Sequence, residues 1–158
     1  MNYIKNNLLL FIASIFVFAS FLVSLNIIFQ PFKSSDYLYV AGKTLYIKLD
    51  EPTEISKDSG NNERLISINT EIINSASTEL LISINEQSVG LLSVNGFTYS
   101  PLNPNNLNID INKPLWGSFK LSKNQMIKGN LIFKVKGSFE PKTFEWLESD
   151  RVIINFSQ

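Results

Sequence analysis

The chain of 158 residues contains no histidine and no cysteine. Their absence excludes disulfide bonds, imidazole and thiolate metal sites, cysteine nucleophiles and Ser-His-Asp triads. It also excludes lipid attachment through a lipobox, which requires a cysteine. An enzyme built from this sequence would depend on carboxylates, on a serine-lysine pair or on a metal ion held by oxygen ligands.

The chain also lacks net charge, since 14 Lys+Arg residues balance 14 Asp+Glu residues. The lysines are scattered along the sequence rather than clustered. Binding to phosphate backbones requires a concentrated basic patch. We therefore expect no nucleic-acid partner.

A long uncharged stretch runs from Leu8 to Phe29. As a helix it would extend about 33 Å, close to the roughly 30 Å hydrocarbon thickness of a bilayer. This predicts a transmembrane helix over 8–29, a cytoplasmic leader over 1–7 and a juxtamembrane linker over 30–36. A cleaved signal peptide is the alternative. The retained anchor is favoured because the apolar run continues well past the length of a signal-peptide core.

Small residues recur along one stripe of this predicted helix, at Ala13, Ser20 and Ser24. Such a stripe allows a second helix to approach closely. Simple tolerance of serine and alanine in lipid is the favoured interpretation, and helix packing is the alternative.

The remaining residues, 37–158, carry β-strand patterns. Arg64–Asn74 and Leu80–Ile84 alternate apolar and polar side chains with period two, which is typical of half-buried strands. Asn95-Gly96 between apolar runs predicts a hairpin with a two-residue turn. A strand that begins at Gly129 has its lysines on the solvent side. Further strands are predicted at Tyr37–Val40, Thr44–Leu49, Leu115–Leu121, Thr143–Leu147 and Val152–Phe156, and the alternation of Leu107, Ile109 and Ile111 indicates one more.

These short strands are separated by frequent turn signals, and no segment after the linker shows a sustained helical period. The pattern predicts one all-β domain over 37–158, an antiparallel immunoglobulin-like β-sandwich.

From Arg64 to Gln158 the chain resembles the telokin-like, immunoglobulin-type extracytoplasmic domains of bacterial surface proteins. The resemblance is carried by Ile72-Ile73-Asn74, by Val94-Asn95-Gly96-Phe97-Thr98-Tyr99, by Gly129-Asn130-Leu131-Ile132-Phe133-Lys134-Val135 and by Phe144-Glu145-Trp146. Lys123-Asn124 stands where the family commonly has Pro-Gly before the Gly129 strand. The resemblance implies an interaction module and assigns no site residues.

The polar stretch Asp50–Glu63 is predicted to be a loop. Its acidic residues raise calcium as a candidate metal, but their spacing lacks the alternating ligands of an ordered calcium loop. A solvated loop is favoured. Neighbouring serines and lysines such as Ser122-Lys123 are expected by chance in a lysine-rich chain, and a catalytic Ser-Lys dyad requires a buried lysine with a lowered pKa. We therefore expect no catalytic residue, metal or cofactor.

Aromatic residues are expected to fill the core, above all Trp116 and Trp146. Phe139 lies in a turn beside Pro141 and is a candidate for an exposed contact. With the proline-rich connection near residue 101 it gives a predicted interaction loop of Pro101, Asn103, Pro104 and Phe139.

The leading hypothesis is a non-catalytic module anchored in the cell membrane by a single span, with its amino terminus in the cytoplasm and its sandwich outside. Its expected partner is another envelope or membrane protein. The alternative is a structural, stator-like subunit of a larger membrane or surface-filament complex.

Overall fold

The computed structural model of the protein describes residues 37–58 and 62–156. Within these ranges the chain forms eleven strands and one 3₁₀ turn. They are β1 Tyr37–Ala41, β2 Leu45–Asp50, β3 Thr53–Asp58, β4 Glu63–Asn74, β5 Leu80–Ile84, β6 Val89–Ser93, β7 Thr98–Tyr99, the 3₁₀ turn Pro104–Asn106, β8 Gly117–Leu121, β9 Met126–Lys136, β10 Pro141–Trp146 and β11 Val152–Asn155. The strands pair antiparallel, which confirms the predicted class for these residues.

The longest pairing joins β4 to β9, from Glu63 opposite Lys136 to Ile73 opposite Met126. On its other edge β4 pairs with two strands in succession. Its first half pairs with β3 and its second half with β2, which in turn pairs with β1. One sheet therefore contains β1, β2, β3, β4 and β9.

The other strands form two smaller sheets. One has the order β11-β10-β6-β7, and the other pairs β5 with β8. All three sheets contribute to a single cluster of buried hydrophobic side chains. Trp146 is fully buried in this cluster, as predicted, whereas Trp116 is only half-buried.

Period-two alternation identified the inward faces correctly. Ile66, Ile68 and Ile72 of β4 are buried, as are Ile82 and Ile84 of β5. On β9, Leu131, Phe133 and Val135 are buried, while Lys134 and Lys136 are exposed.

Two predictions about local structure are wrong. The stretch Asp50–Glu63 was expected to be a loop, yet it contains β3, which pairs with β4 despite its polar composition. The alternation of Leu107, Ile109 and Ile111 was expected to be a strand, yet no strand includes these three residues.

The hairpin at Asn95-Gly96 is confirmed, but its turn differs from the expected one. Gly96 alone has positive φ, at 82°, and its N–H donates to the Ser93 carbonyl across 3.0 Å. The Ser93 N–H donates in turn to the Phe97 carbonyl. This is a three-residue loop with a glycine bulge rather than a two-residue turn.

The predicted transmembrane helix, Leu8 to Phe29, lies outside the described residues. Over 37–58 and 62–156, no helix has the length and apolar character needed to cross a membrane.

Asn74 ends β4 and is fully buried. Its Nδ2 donates to the carbonyls of Thr78 and Leu121, at 2.8 and 2.9 Å, and its Oδ1 accepts from the Ala76 N–H at 2.8 Å. The amide therefore connects the end of β4 to the following turn and to the end of β8. Because each bond satisfies a backbone group, losing the side chain would leave several polar groups without partners.

We predict that Asn74→Ala lowers the free energy of unfolding by about 3 kcal/mol, because a buried and fully satisfied amide is lost. Urea denaturation measures the change. The control is Asn105→Ala at an exposed position, where a change under about 0.5 kcal/mol is expected. Equal effects of the two substitutions would contradict the role assigned to Asn74.

Candidate interaction surface

The chain between β7 and β8 is attached to the free edge of β9. Near its start, the Leu102 N–H donates to the Ile132 carbonyl at 2.7 Å, and Pro101 bridges to Phe133. Near its end, the Leu115 N–H donates to the Asn130 carbonyl at 2.9 Å. Ile132 points away from the core by strand alternation and is nevertheless buried. We infer that the segment from Pro101 to Leu115 covers part of the outward face of the sheet, and we call it the covering segment.

A groove lies between this covering segment and the sheet. Its volume is about 210 Å³, and it is lined by Ser56, Glu63, Arg64, Leu65, Leu102, Leu107 and Lys134. We call it the Leu65 groove. Leu65 pairs with Lys134 across β4 and β9, so both side chains lie on the outward face. Three leucines supply its apolar surface, and Glu63 forms an ion pair with Lys134 at its rim.

Arg64 lines this groove and a second groove of about 200 Å³. The second groove is lined by Ile66 and Phe139 as well as by Arg64. Its guanidinium donates to the Glu54 carboxylate at 3.1 Å and to the Phe139 carbonyl at 2.7 Å. Its Nε is buried without a hydrogen-bond partner. The guanidinium therefore joins β3, β4 and the turn before β10, which is a structural role.

The predicted interaction loop is divided by the structure. Pro101 is buried, and Phe139 is only 5% exposed, with its ring edge-to-face against Tyr99 at 5.4 Å between centroids. These two side chains are therefore not exposed contacts, which corrects the expectation for Phe139. Asn103 and Pro104 lie at the start of the 3₁₀ turn, where Asn103 Oδ1 accepts from the Asn105 N–H.

The sequence did not identify the groove side chains as contact residues, and Leu107 was assigned to a predicted strand instead. Leu102 lies between Pro101 and Asn103, and Leu107 lies between Asn106 and Asn108, so neither has an aliphatic immediate neighbour in this polar connection. That isolation is the signal that could have identified them. The predicted helix-packing residues Ala13, Ser20 and Ser24 lie outside the described residues.

The acidic residues near β3 do not converge. Glu54 is paired with Arg64, and Asp50 Oδ2 accepts from the Asn69 amide at 2.7 Å. Across the described ranges, no group of three or more acidic residues is placed to hold a metal ion.

The pKa shifts resolved in the described part of the chain fall on Lys128 and Asp150, both outside the groove. A hydrogen bond to the Glu71 carboxylate raises the pKa of Lys128 above its usual value. The Thr44 backbone N–H, which donates to Asp150 Oδ2 at 2.8 Å, lowers the pKa of Asp150 below its usual value. Both shifts arise from contacts that hold strands together.

The Asp150 carboxylate closes the turn between β1 and β2 from the loop before β11. The approach is close at Gly42, where a Cβ atom would meet the carboxylate. Because the two residues are far apart in sequence, this contact ties the last hairpin of the fold to the first.

No family model matches the chain, and no curated protein matches it. A solved structure from Bacillus subtilis, described as a "putative lipoprotein (ycdA)", superposes with a TM-score of 0.54 at 10% identity, covering 75% of this chain and 38% of that one. A functionally unknown protein from Listeria monocytogenes superposes with a TM-score of 0.50 at 9% identity, covering 75% of this chain and 80% of that one.

The chain thus has a β-rich fold that also occurs in bacterial proteins. It spans well under half of the Bacillus protein. At these identities the comparisons concern the fold alone.

We predict that the stability advantage of the wild-type chain over Asp150→Asn shrinks on acidification. The lowered pKa of Asp150 means that its stabilisation is complete above the ordinary aspartate pKa of about 4 and is lost as the pH falls through the folded value. Urea denaturation of both proteins between about pH 7 and pH 3 measures the difference.

The control for this measurement is Asp110→Asn, at an exposed position away from any strand. A wild-type advantage over Asp150→Asn that stayed constant across the pH range would show that the carboxylate charge is not what closes the turn.

Proposed function

We propose that the chain is a non-catalytic interaction module, anchored in the cell membrane by Leu8 to Phe29, whose domain binds another envelope protein outside the cytoplasm. The observation that carries the proposal is the Leu65 groove, an apolar recess with an ion-paired rim on the outward face of a sheet. Its lining combines three leucines with Ser56, Glu63, Arg64 and Lys134, and binding sites commonly combine apolar surface with polar groups that orient a ligand. The domain would be a β-sandwich of the telokin-like, immunoglobulin type.

The sandwich assignment is supported by the arrangement of the sheets. The sheet with β4 and β9 and the sheet with β6 and β10 each turn a hydrophobic face to one shared core. Two of the residues that suggested the telokin-like resemblance contribute to local structure. Asn74 is the buried amide at the end of β4, and Gly96 has positive φ in the hairpin.

The envelope location is supported by two observations. Leu8 to Phe29 is an uncharged apolar stretch long enough to span a bilayer, and the Bacillus neighbour is described as a "putative lipoprotein". Because this sequence contains no cysteine, its own attachment would depend on the apolar stretch instead of a lipid.

The absence of cysteine allows a direct test of the topology. We predict that a single cysteine at Asn105→Cys, an exposed position, reacts with a membrane-impermeant maleimide in intact cells. A single cysteine at Asn7→Cys, in the leader, should react only after the membrane is permeabilised. The reverse pattern would invert the proposed orientation, and release of the chain from the membrane fraction would favour the cleaved signal peptide.

The binding role is tested by cross-linking from the covering segment. We predict that Asn105→Cys carrying a benzophenone maleimide captures a discrete protein on illumination of membranes, because residue 105 lies between two groove leucines in sequence. The matched control is Lys123→Cys, exposed in the turn before β9. That turn is about 30 Å from Lys134 along the strand.

An adduct that forms from residue 105 and not from residue 123 supports the groove as the binding surface. Equal capture from both positions, or none from residue 105, would contradict it. Measurable hydrolase activity of the purified chain without any captured protein would overturn the non-catalytic assignment.

A further inference from the structure

The tip of the hairpin between β6 and β7 contains a dipeptide that can react with itself. Asn95 is the one asparagine of the sequence that is followed by glycine. Both residues are exposed, and the side-chain amide of Asn95 has no hydrogen-bond partner among the described residues. A Cβ atom at Gly96 would meet nothing within 4 Å, so no neighbouring group blocks the approach of the Asn95 side chain to the Gly96 nitrogen.

The hydrogen bonds of the loop restrain this nitrogen. The Gly96 N–H donates to the Ser93 carbonyl at 3.0 Å, and this bond holds the nitrogen away from any other role. The Ser93 side chain closes the same loop, because its Oγ accepts from the Phe97 N–H at 3.1 Å. Ser93 is buried, at 1% exposed. The Gly96 nitrogen is therefore released only when the loop from Ser93 to Phe97 opens.

The loop can open without unfolding of the domain. β7 has two residues, and it pairs with β6 only through Leu91 with Tyr99 and Leu92 with Thr98. Opening as far as Thr98 breaks one of these pairings and leaves the Tyr99 ring against Phe139. Local openings that break few contacts cost much less free energy than global unfolding.

We infer that Asn95 is a site of spontaneous deamidation whose rate is set by local opening of the loop from Ser93 to Phe97. The Gly96 nitrogen forms a bond to Asn95 Cγ, and the bond from Cγ to Nδ2 breaks. The proton of the Gly96 N–H passes through solvent to the departing nitrogen, which leaves as ammonia. Water then opens the succinimide ring. Cleavage between Cγ and the Gly96 nitrogen gives aspartate, and cleavage between the main-chain carbonyl carbon and that nitrogen gives isoaspartate.

The products change the tip of the hairpin in two ways. A carboxylate replaces a neutral amide one residue before Phe97, whose ring centre lies 3.7 Å from the Lys136 ammonium. In the isoaspartate product the main chain also runs through the side-chain carbons of residue 95. This lengthens the loop by one carbon and alters the spacing between the Gly96 N–H and the Ser93 carbonyl.

The test follows the full chain in phosphatidylcholine nanodiscs, incubated in mildly alkaline buffer. Aspartate and isoaspartate at residue 95 are quantified by proteolysis and electron-transfer mass spectrometry. The reference is the synthetic peptide Leu-Ser-Val-Asn-Gly-Phe-Thr, which has the same sequence as 92–98 and no fold. We expect both products from both samples, with the reaction of the folded chain about 10- to 100-fold slower than that of the peptide.

Three variants separate local opening from global unfolding. Ser93→Ala removes the acceptor of the Phe97 N–H and should speed the reaction about three- to tenfold. The matched control is Ser100→Ala, at an exposed serine just after β7, which should leave the rate unchanged. Asn74→Ala should also leave it unchanged, because the hydrogen bonds of Asn74 lie outside the hairpin and its loss destabilises the domain as a whole.

Equal rates in the folded chain and the peptide would overturn the inference, since the loop would then exert no restraint. A folded chain that reacts more than about 1,000-fold slower than the peptide, or that is accelerated equally by Asn74→Ala and Ser93→Ala, would overturn it as well, because global unfolding would then control the reaction. Aspartate without isoaspartate would exclude attack by the Gly96 nitrogen. The peptide comparison and the Asn74→Ala measurement decide the matter even if Ser93→Ala does not fold.

Discussion

The backbone ladder between β4 and β9 is the interaction on which the rest of the structure depends. Its eleven residue pairs form the longest pairing among the described strands. β4 also pairs with β2 and β3 along its other edge. The other edge of β9 forms backbone hydrogen bonds with both ends of the covering segment. Because the ladder fixes which side chains alternate inward, a shift of one residue would turn the core isoleucines to solvent and the lysines inward. The groove and the core are therefore set by the same register.

Sequence patterns predicted the parts of the fold in which burial is one-sided. β4, β5 and β9 each place hydrophobic residues on one face, so period two was informative. β3 escaped detection because it is a polar edge strand with a bulge, whose position depends on pairing with β4 and on the Arg64 contact to Glu54. The alternation at Leu107, Ile109 and Ile111 was misleading because that segment is held at its ends and packs by isolated side chains.

The candidate surface could be predicted only in outline. Proline and asparagine near residue 103 indicated a prominent connection, and the connection does border the groove. The contact residues differ, because Phe139 packs against Tyr99 and Pro101 bridges to β9. Which apolar residue of a loop is buried depends on what lies beneath it, and here that is Ile132 and Leu65, on strands remote in sequence. No local pattern contains this information.

The ion pairs of the domain differ in how much they contribute to its stability. Ion pairs such as Lys120 with Glu79 and Lys134 with Glu63 are solvent-exposed, and exposed pairs contribute only about 0 to 1 kcal/mol. Losing the pair between Glu63 and Lys134 would therefore cost little stability, whereas removing Glu54 from Arg64 would also disturb the contact to Phe139. The ion pair beside the groove thus contributes little to stability, while the ion pair next to the core maintains the strands that form the groove.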